Sequence, residues 1–187
     1  MVSMLRSYIK HIEWMAHHDI NTRLPNRLSL IKALDSYAFK DPHKYYSLLV
    51  MSFENMQNIV AGFGLESADR LVSTVVKDLS ERYPENIRFF HHHPEHIAIL
   101  SDMTNQNKIA EFANEILQLM NEPYEYENLP LHLDARIGCV YIAELAHSPA
   151  ALISRAEYAL SEARLMAHDY HIFDENVDNK SAESLEL

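Results

Sequence analysis

The chain has 187 residues, 48% of them hydrophobic and 23% charged, and 16 basic against 27 acidic side chains give a formal charge of −11. That balance supports one soluble core and argues against a duplex-binding surface, which is usually basic. Only three glycines are present, Gly62, Gly64 and Gly138. An average composition would supply about 13, so neither a dinucleotide fingerprint nor a Walker-type phosphate loop can be written here.

No stretch approaches 18 consecutive apolar residues and no signal peptide is visible. The lone Cys139 has no partner for an internal disulfide, which fits a reducing compartment. The expectation is a soluble, cytoplasmic chain that binds no DNA and does not itself insert into a membrane.

In chain order, Leu5, Tyr8, Ile9, Ile12 and Met15/Ala16 recur at helical spacing and predict an amphipathic helix. Asn21 to Asn26 is a polar turn containing Pro25, and Asn26 can cap a helix running to about Phe39, which Asp41-Pro42 breaks. Tyr45 to Phe53 suits one buried strand. A short helix from Glu54 to about Ala61 is closed by Gly62-Phe63-Gly64. A second helix, apolar at Ala68, Leu71, Val72, Val75, Val76 and Leu79, ends near Arg82, with Pro84 as punctuation.

Ile87 to His92 and His96 to Leu100 predict a hairpin turning at His93-Pro94-Glu95. Lys108 to Met120 reads as a helix, Leu129 to Ile142 as one alternating strand, Ala150 to Ala167 as a helix, and Tyr170 to Phe173 as a last strand. From Asp174 to Leu187 the chain turns polar and acidic, with five acidic residues and one lysine. The order predicts an α+β fold in which helices cover an antiparallel-rich sheet of about five strands. It divides into an N-terminal helix (1–17), a domain (18–174) and an acidic tail or linker (175–187).

Five phrases along this order carry a resemblance. "AHHDINTRLPNRLSLIKAL" (16–34) is similar to the D-x-L-T-G-L-P-N-R opening of GGDEF domains, the diguanylate cyclase family. Asp19, Thr22, Leu24, Pro25, Asn26 and Arg27 agree, while Asn21 and Arg23 replace a Leu and a Gly. "SFENMQNIVAGFGLESADRL" (52–71) resembles D-x-D-x-F-K-x-I-N-D-x-x-G-x-x-x-G-D, and "FFHHHPEHIAIL" (89–100) takes the place of the signature hairpin. "DARIGCVY" (134–141) stands in for S-I-G, and "AEYALSEARLMAHD" (156–169) is similar to A-D-x-A-M-Y-x-A-K-x-x-G-x-N.

The resemblance implies a palm fold that, in active members, condenses two GTP molecules to cyclic di-GMP across a pair of facing domains. That reaction needs divalent ions held by carboxylates. The family's first metal-binding aspartate falls on Ser52 and the second on Glu54. The signature G-G-D-E-F falls on His93, Pro94, Glu95, His96 and Ile97, where Glu95 keeps a carboxylate and His96 replaces an acid. The guanine-reading Asn falls on Val60, its partner is kept as Asp69, the phosphate-facing Lys falls on Arg164, and a basic position one turn later is His168.

Two places of the product-inhibition motif R-x-x-D hold Pro84 and Ile87, while Arg82 and Glu85 lie two residues off register. Glycines usual in the family are replaced by Arg23, Ala68, His93, Pro94 and Ala167. No catalytic residue is expected. Asp69 and Arg164 are the nucleotide-binding remnant, set against readings as a first-turn helix acid and a solvent-exposed arginine.

Glu95 and Glu54 are the metal candidates that the resemblance leaves, and no cofactor is expected except Mg or Mn with residual GTP binding. His91, His92, His93 and His96 raise a zinc site, with Glu95 or His96 completing a His91–His93 pair, against a drifted polar loop without ligand. The expected function is an inactive GGDEF domain: a regulatory, dimerisation or partner-binding module of a bacterial cyclic di-GMP-type signalling protein. Its expected partners are a second copy, a signalling protein, or other domains of a larger protein, an EAL phosphodiesterase among them. A weak cyclase or GTP sensor, and a scaffold such as those in RNA turnover, are the alternatives.

Overall fold

The computed structural model describes residues 2–40, 47–83, 86–126, 128–142, 148–175 and 178. The helices are α1 (Val2–His17), α2 (Arg27–Lys40), α3 (Met56–Phe63), α4 (Leu65–Arg82), α5 (Gln106–Asn121) and α6 (Pro149–Leu165). The strands are β1 (Ser47–Phe53), β2 (Arg88–His93), β3 (His96–Ser101), β4 (Tyr124–Tyr126), β5 (Leu129–Leu131), β6 (Ala135–Tyr141) and β7 (Tyr170–Ile172). No helix among the described residues is long and apolar enough to cross a membrane.

Five strands form the central sheet in the order β2-β3-β1-β6-β7. All neighbours are antiparallel except β6 and β7, so the predicted α+β class with an antiparallel-rich sheet holds. All seven residues of β1 are buried, as its place in the middle of the sheet demands. Alternate β1 side chains serve two cores. Leu49 and Met51 pack with α3, α4 and α5 on one face, and Leu48 and Val50 pack with α2 and α6 on the other.

Gly138 sets how closely α6 lies on the sheet. A Cβ there would sit 2.2 Å from the Ala156 carbonyl oxygen and 2.2 Å from the Leu160 nitrogen, so helix backbone rests directly on β6. Gly64, at φ +85°, ends α3 by donating its N–H to the Val60 carbonyl, and Asn26 caps α2 by accepting from the Ser29 N–H. Arg23 (φ 59°) and Ala167 (φ 54°) also adopt left-handed backbone.

The expected single strand from Leu129 to Ile142 is two strands, and β4 pairs with β5 as a separate ribbon. Residues 132–134 leave the ladder because the Asn55 side chain takes over their hydrogen bonds. Its amide donates to the His132 carbonyl and its oxygen accepts from the Asp134 N–H. The hairpin turn is Pro94-Glu95 alone, since His93 still pairs with His96. Asp41, Pro42, Pro84, Glu85 and the tail from 179 onward lie outside the described residues. Asp178 is 3% exposed and held against β7, so the acidic segment after Phe173 starts out attached to the domain.

Candidate functional site

The C-terminal end of β1 and its neighbours line up one polar row. Ser52 pairs with His96 on β3 and with Arg136 on β6. Strand alternation carries Ser52 onto the face of Leu48 and Val50, beneath α6. His92, two residues beyond the buried Phe90, joins the row from β2. Above it, α6 presents Glu157 and Arg164, seven residues or about two turns apart and so on one helix face.

Two closed clusters result. In the first, Arg164 grips Glu54 in a forked ion pair, with Nε 2.9 Å from Oε1 and a terminal nitrogen 2.8 Å from the same oxygen. The Ser52 hydroxyl donates to Glu54 Oε1 as well. Burial alone would raise the Glu54 pKa. The hydrogen bonds from Arg164 and Ser52, together with the charges of Arg164 and Arg136, hold it below the usual range. Arg136 also reaches the Ala163 and Arg164 carbonyls at the end of α6, at 3.3 and 3.4 Å.

In the second cluster, Glu157 Oε1 lies 2.9 Å from His92 Nε2 and 3.2 Å from His96 Nδ1. Arg27 places a guanidinium nitrogen 3.0 Å from His92 Nδ1. Burial works to raise the Glu157 pKa, but the contacts with His92 and His96 and their charge outweigh it and hold this carboxylate far below the usual range.

A divalent ion does not fit this donor set. The Ser52 hydroxyl is spent on Glu54, and both Glu54 oxygens are within 3.1 Å of Arg164. Of the expected metal candidates, Glu95 alone keeps an unengaged carboxylate among the described residues; its carbonyl accepts from the Phe53 N–H. The histidine run does not converge either. His91 reaches Asp19 at 3.1 Å, His92 turns to Glu157, and His93 lies against His96 with ring centres 5.2 Å apart. A register shift between His91 and His93 breaks the shared strand face on which the zinc expectation rested. Among the described residues no three His, Cys, Asp or Glu side chains form a group able to hold a metal.

At the expected base-reading position, Asp69 on α4 accepts a hydrogen bond from the Asn21 amide at 3.0 Å, while Val60 packs partly buried against the core. Ile87 is 8% exposed and belongs to that core. Arg82 ends α4, and His168 follows α6, exposed, with its N–H on the Ala163 carbonyl. Ile97, the last signature position, is buried on the α4 and α5 face. The sequence reading missed Asn21, Arg27, Arg136 and Glu157 as site residues, and it placed His92 only in the histidine run of the zinc expectation. For Glu157 the available signal was its spacing of seven from Arg164.

The Diguanylate cyclase, GGDEF domain model matches residues 16–168. Signaling protein YkoW of Bacillus subtilis is 26% identical over 184 residues, which is 94% of this chain and 23% of that protein. The chain thus spans about a quarter of the length of this curated relative. The solved GGDEF domain of TpbB (YfiN) from Pseudomonas aeruginosa superposes with a TM-score of 0.78 at 22% identity, covering 89% of this chain and 99% of that one. A Vibrio cholerae LapD structure, described as S helix-GGDEF-EAL bound to c-di-GMP, gives 0.74 at 14% identity over 92% of this chain and 40% of that one. With the family model spanning most of the chain and the same fold returned by solved GGDEF structures, the chain belongs to the diguanylate cyclase GGDEF-domain family.

Proposed function

We propose that this GGDEF domain makes no cyclic di-GMP and serves as a regulatory, dimerisation or partner-binding module of a cytoplasmic signalling protein. The Glu54–Arg164 ion pair carries the reading. It joins the position of a metal carboxylate to the position of the phosphate-facing cation, so each neutralises the other and neither is free for its role. Ser52, which takes the place of the family's first metal-binding aspartate, supplies a neutral hydroxyl where Mg²⁺ takes charged oxygen. The loss of one metal carboxylate removes several kcal/mol of transition-state stabilisation, at about 1.4 kcal/mol per tenfold in rate.

The exposed apolar residues of α1, with Leu5 60% and Tyr8 64% accessible, support a docking role for that helix toward a second copy or a neighbouring domain. The larger relative and the GGDEF-EAL arrangement of LapD support further domains, an EAL domain among them.

Incubation of the purified chain with GTP and Mg²⁺ or Mn²⁺ tests the proposal. No cyclic di-GMP is expected above background. Product that forms and disappears in Glu95→Ala overturns it. A second reading, GTP binding without turnover, is favoured by the Asp69 carboxylate with the Asn21 amide beside it. Calorimetric titration with GTP decides it, and no affinity below millimolar removes it.

A further inference from the structure

Helix α1 meets the domain at its last turn. Its 16 residues span about 24 Å, the side chains of residues 4–16 are all exposed, and His17 and His18 are the first to be partly covered. The last turn of an α-helix leaves carbonyls without helical partners, and here the start of α2 supplies them. The Asn26 side-chain amide donates to the Ala16 carbonyl at 3.0 Å. The Asn26 N–H and the Ser29 hydroxyl both donate to the His17 carbonyl, at 2.9 and 2.7 Å. Meanwhile the Asn26 side-chain oxygen accepts from the Ser29 N–H at 3.1 Å. One side chain thus ends α1 and starts α2.

On their other side, Pro25 and Asn26 lie along β2. The Pro25 carbonyl accepts from the His91 N–H at 2.8 Å, and Asn26 forms a parallel bridge with His91. Because β2 is an edge strand, these two residues cover backbone that the sheet itself leaves unpaired. Two residues further on, β2 ends at His93 in the signature turn. The loop between α1 and Pro25 is closed on itself, with the Asp19 N–H on the Leu24 carbonyl at 2.8 Å and His18 bridged to Pro25. It holds little slack, so it passes a displacement on instead of absorbing it.

We infer that residues 25–26 are a strap that α1 holds closed over the edge of β2, and that α1 is the lever that works it. Swinging α1 away from α2 breaks the three hydrogen bonds at the Ala16 and His17 carbonyls and draws Pro25 off His91, which uncovers the strand leading into the signature turn. What pulls the lever rests on the reading of α1 as a docking helix. The strap is a property of the chain alone, so the two can fail separately.

The joint carries its own probes. Trp14, the sole tryptophan, stacks on His18 with ring centres 4.7 Å apart, so its fluorescence anisotropy follows α1, while exchange of the His91 amide follows the strap. Asn26→Asp removes the donor to Ala16 and keeps the oxygen that caps α2. Ser29→Ala is the sharper variant, because the hydroxyl it removes bonds α1 and not β2. In the full chain without any partner, each is expected to lower Trp14 anisotropy and to speed His91 exchange at least about threefold, while the Val50 amide of the central strand keeps its native protection. One reporter moving without the other, or neither moving, overturns the inference. Should the variants fail to fold, native-state exchange of the unmodified chain in low urea decides. The Asn26 amide, on α1, and the His91 amide, on the strap, must then open together with the same urea dependence, and separate openings overturn it.

Discussion

Glu54 and Arg164 stand 110 residues apart in sequence and meet in a forked ion pair at the mouth of the polar row beneath α6. Both carboxylate oxygens of Glu54 lie within hydrogen-bonding distance of the Arg164 guanidinium. Arg164 is 40% exposed and Glu54 22%, so solvent screens the attraction and its worth to stability is small. Glu54→Gln is expected to lower unfolding free energy by about 0.5–1 kcal/mol at neutral pH in urea titrations. Because the Glu54 pKa is depressed in the fold, its contribution is present above the ordinary carboxylate range and is lost as pH falls through the folded value. Wild type and variant should converge as pH falls below the ordinary carboxylate range.

Glu157 should matter more. One carboxylate serves both His92 and His96, and the His92 side chain is 2% exposed. Glu157→Gln keeps the volume but replaces the carboxylate oxygen that both imidazoles share with a neutral amide oxygen, so His92 and His96 lose their anionic partner. A loss of about 1–3 kcal/mol is expected by urea unfolding at neutral pH. A loss no larger than that of Glu54→Gln would show that the cluster does not anchor α6.

Gly138 has no room for a methyl group. The atoms that a Cβ would meet are backbone atoms of α6 at 2.2 Å, which cannot rotate away as a side chain could. Gly138→Ala is expected to destabilise by at least about 3 kcal/mol, or to prevent folding, as read from expression of soluble chain and the urea midpoint.

Arg23 and Ala167 point the other way. Both hold left-handed backbone, at φ 59° and 54°, which costs a residue with a Cβ about 1–2 kcal/mol. Arg23→Gly and Ala167→Gly should each raise stability by about 0.5–1 kcal/mol, since glycine's greater freedom in the unfolded chain offsets part of the relief. Thermal unfolding of the two single variants and the double variant checks the sign and the additivity.

These positions show what could be read from sequence. Apolar spacing placed α4 and α5 because the buried residues of each, such as Leu71, Val75 and Leu79, recur at the helical period. It merged β5 and β6 because Leu131, Leu133, Ala135 and Ile137 alternate without a break. The ladder is interrupted by the Asn55 side chain, which comes from more than 70 residues away and leaves no local trace. The site divides along the same line. Ser52, Glu54, Glu95, Asp69 and Arg164 were visible as positions in a phrase. That Glu54 would close on Arg164, or that His92 and His96 would share one oxygen, depends on the sheet register and on how closely α6 lies on β6. Gly138 controls that closeness, yet in the sequence it is only one glycine in a strand.

The seven-residue interval between Glu157 and Arg164 has a mechanical meaning. Two turns of helix span about 10.5 Å, and at those two points α6 is fastened to different ends of the row: to the β2–β3 hairpin through Glu157 and to the end of β1 through Arg164. A rod pinned at two points can neither roll about its axis nor slide along it without releasing both. A movement of α6 along or about its axis therefore breaks contacts to the signature hairpin and to the end of the central strand together.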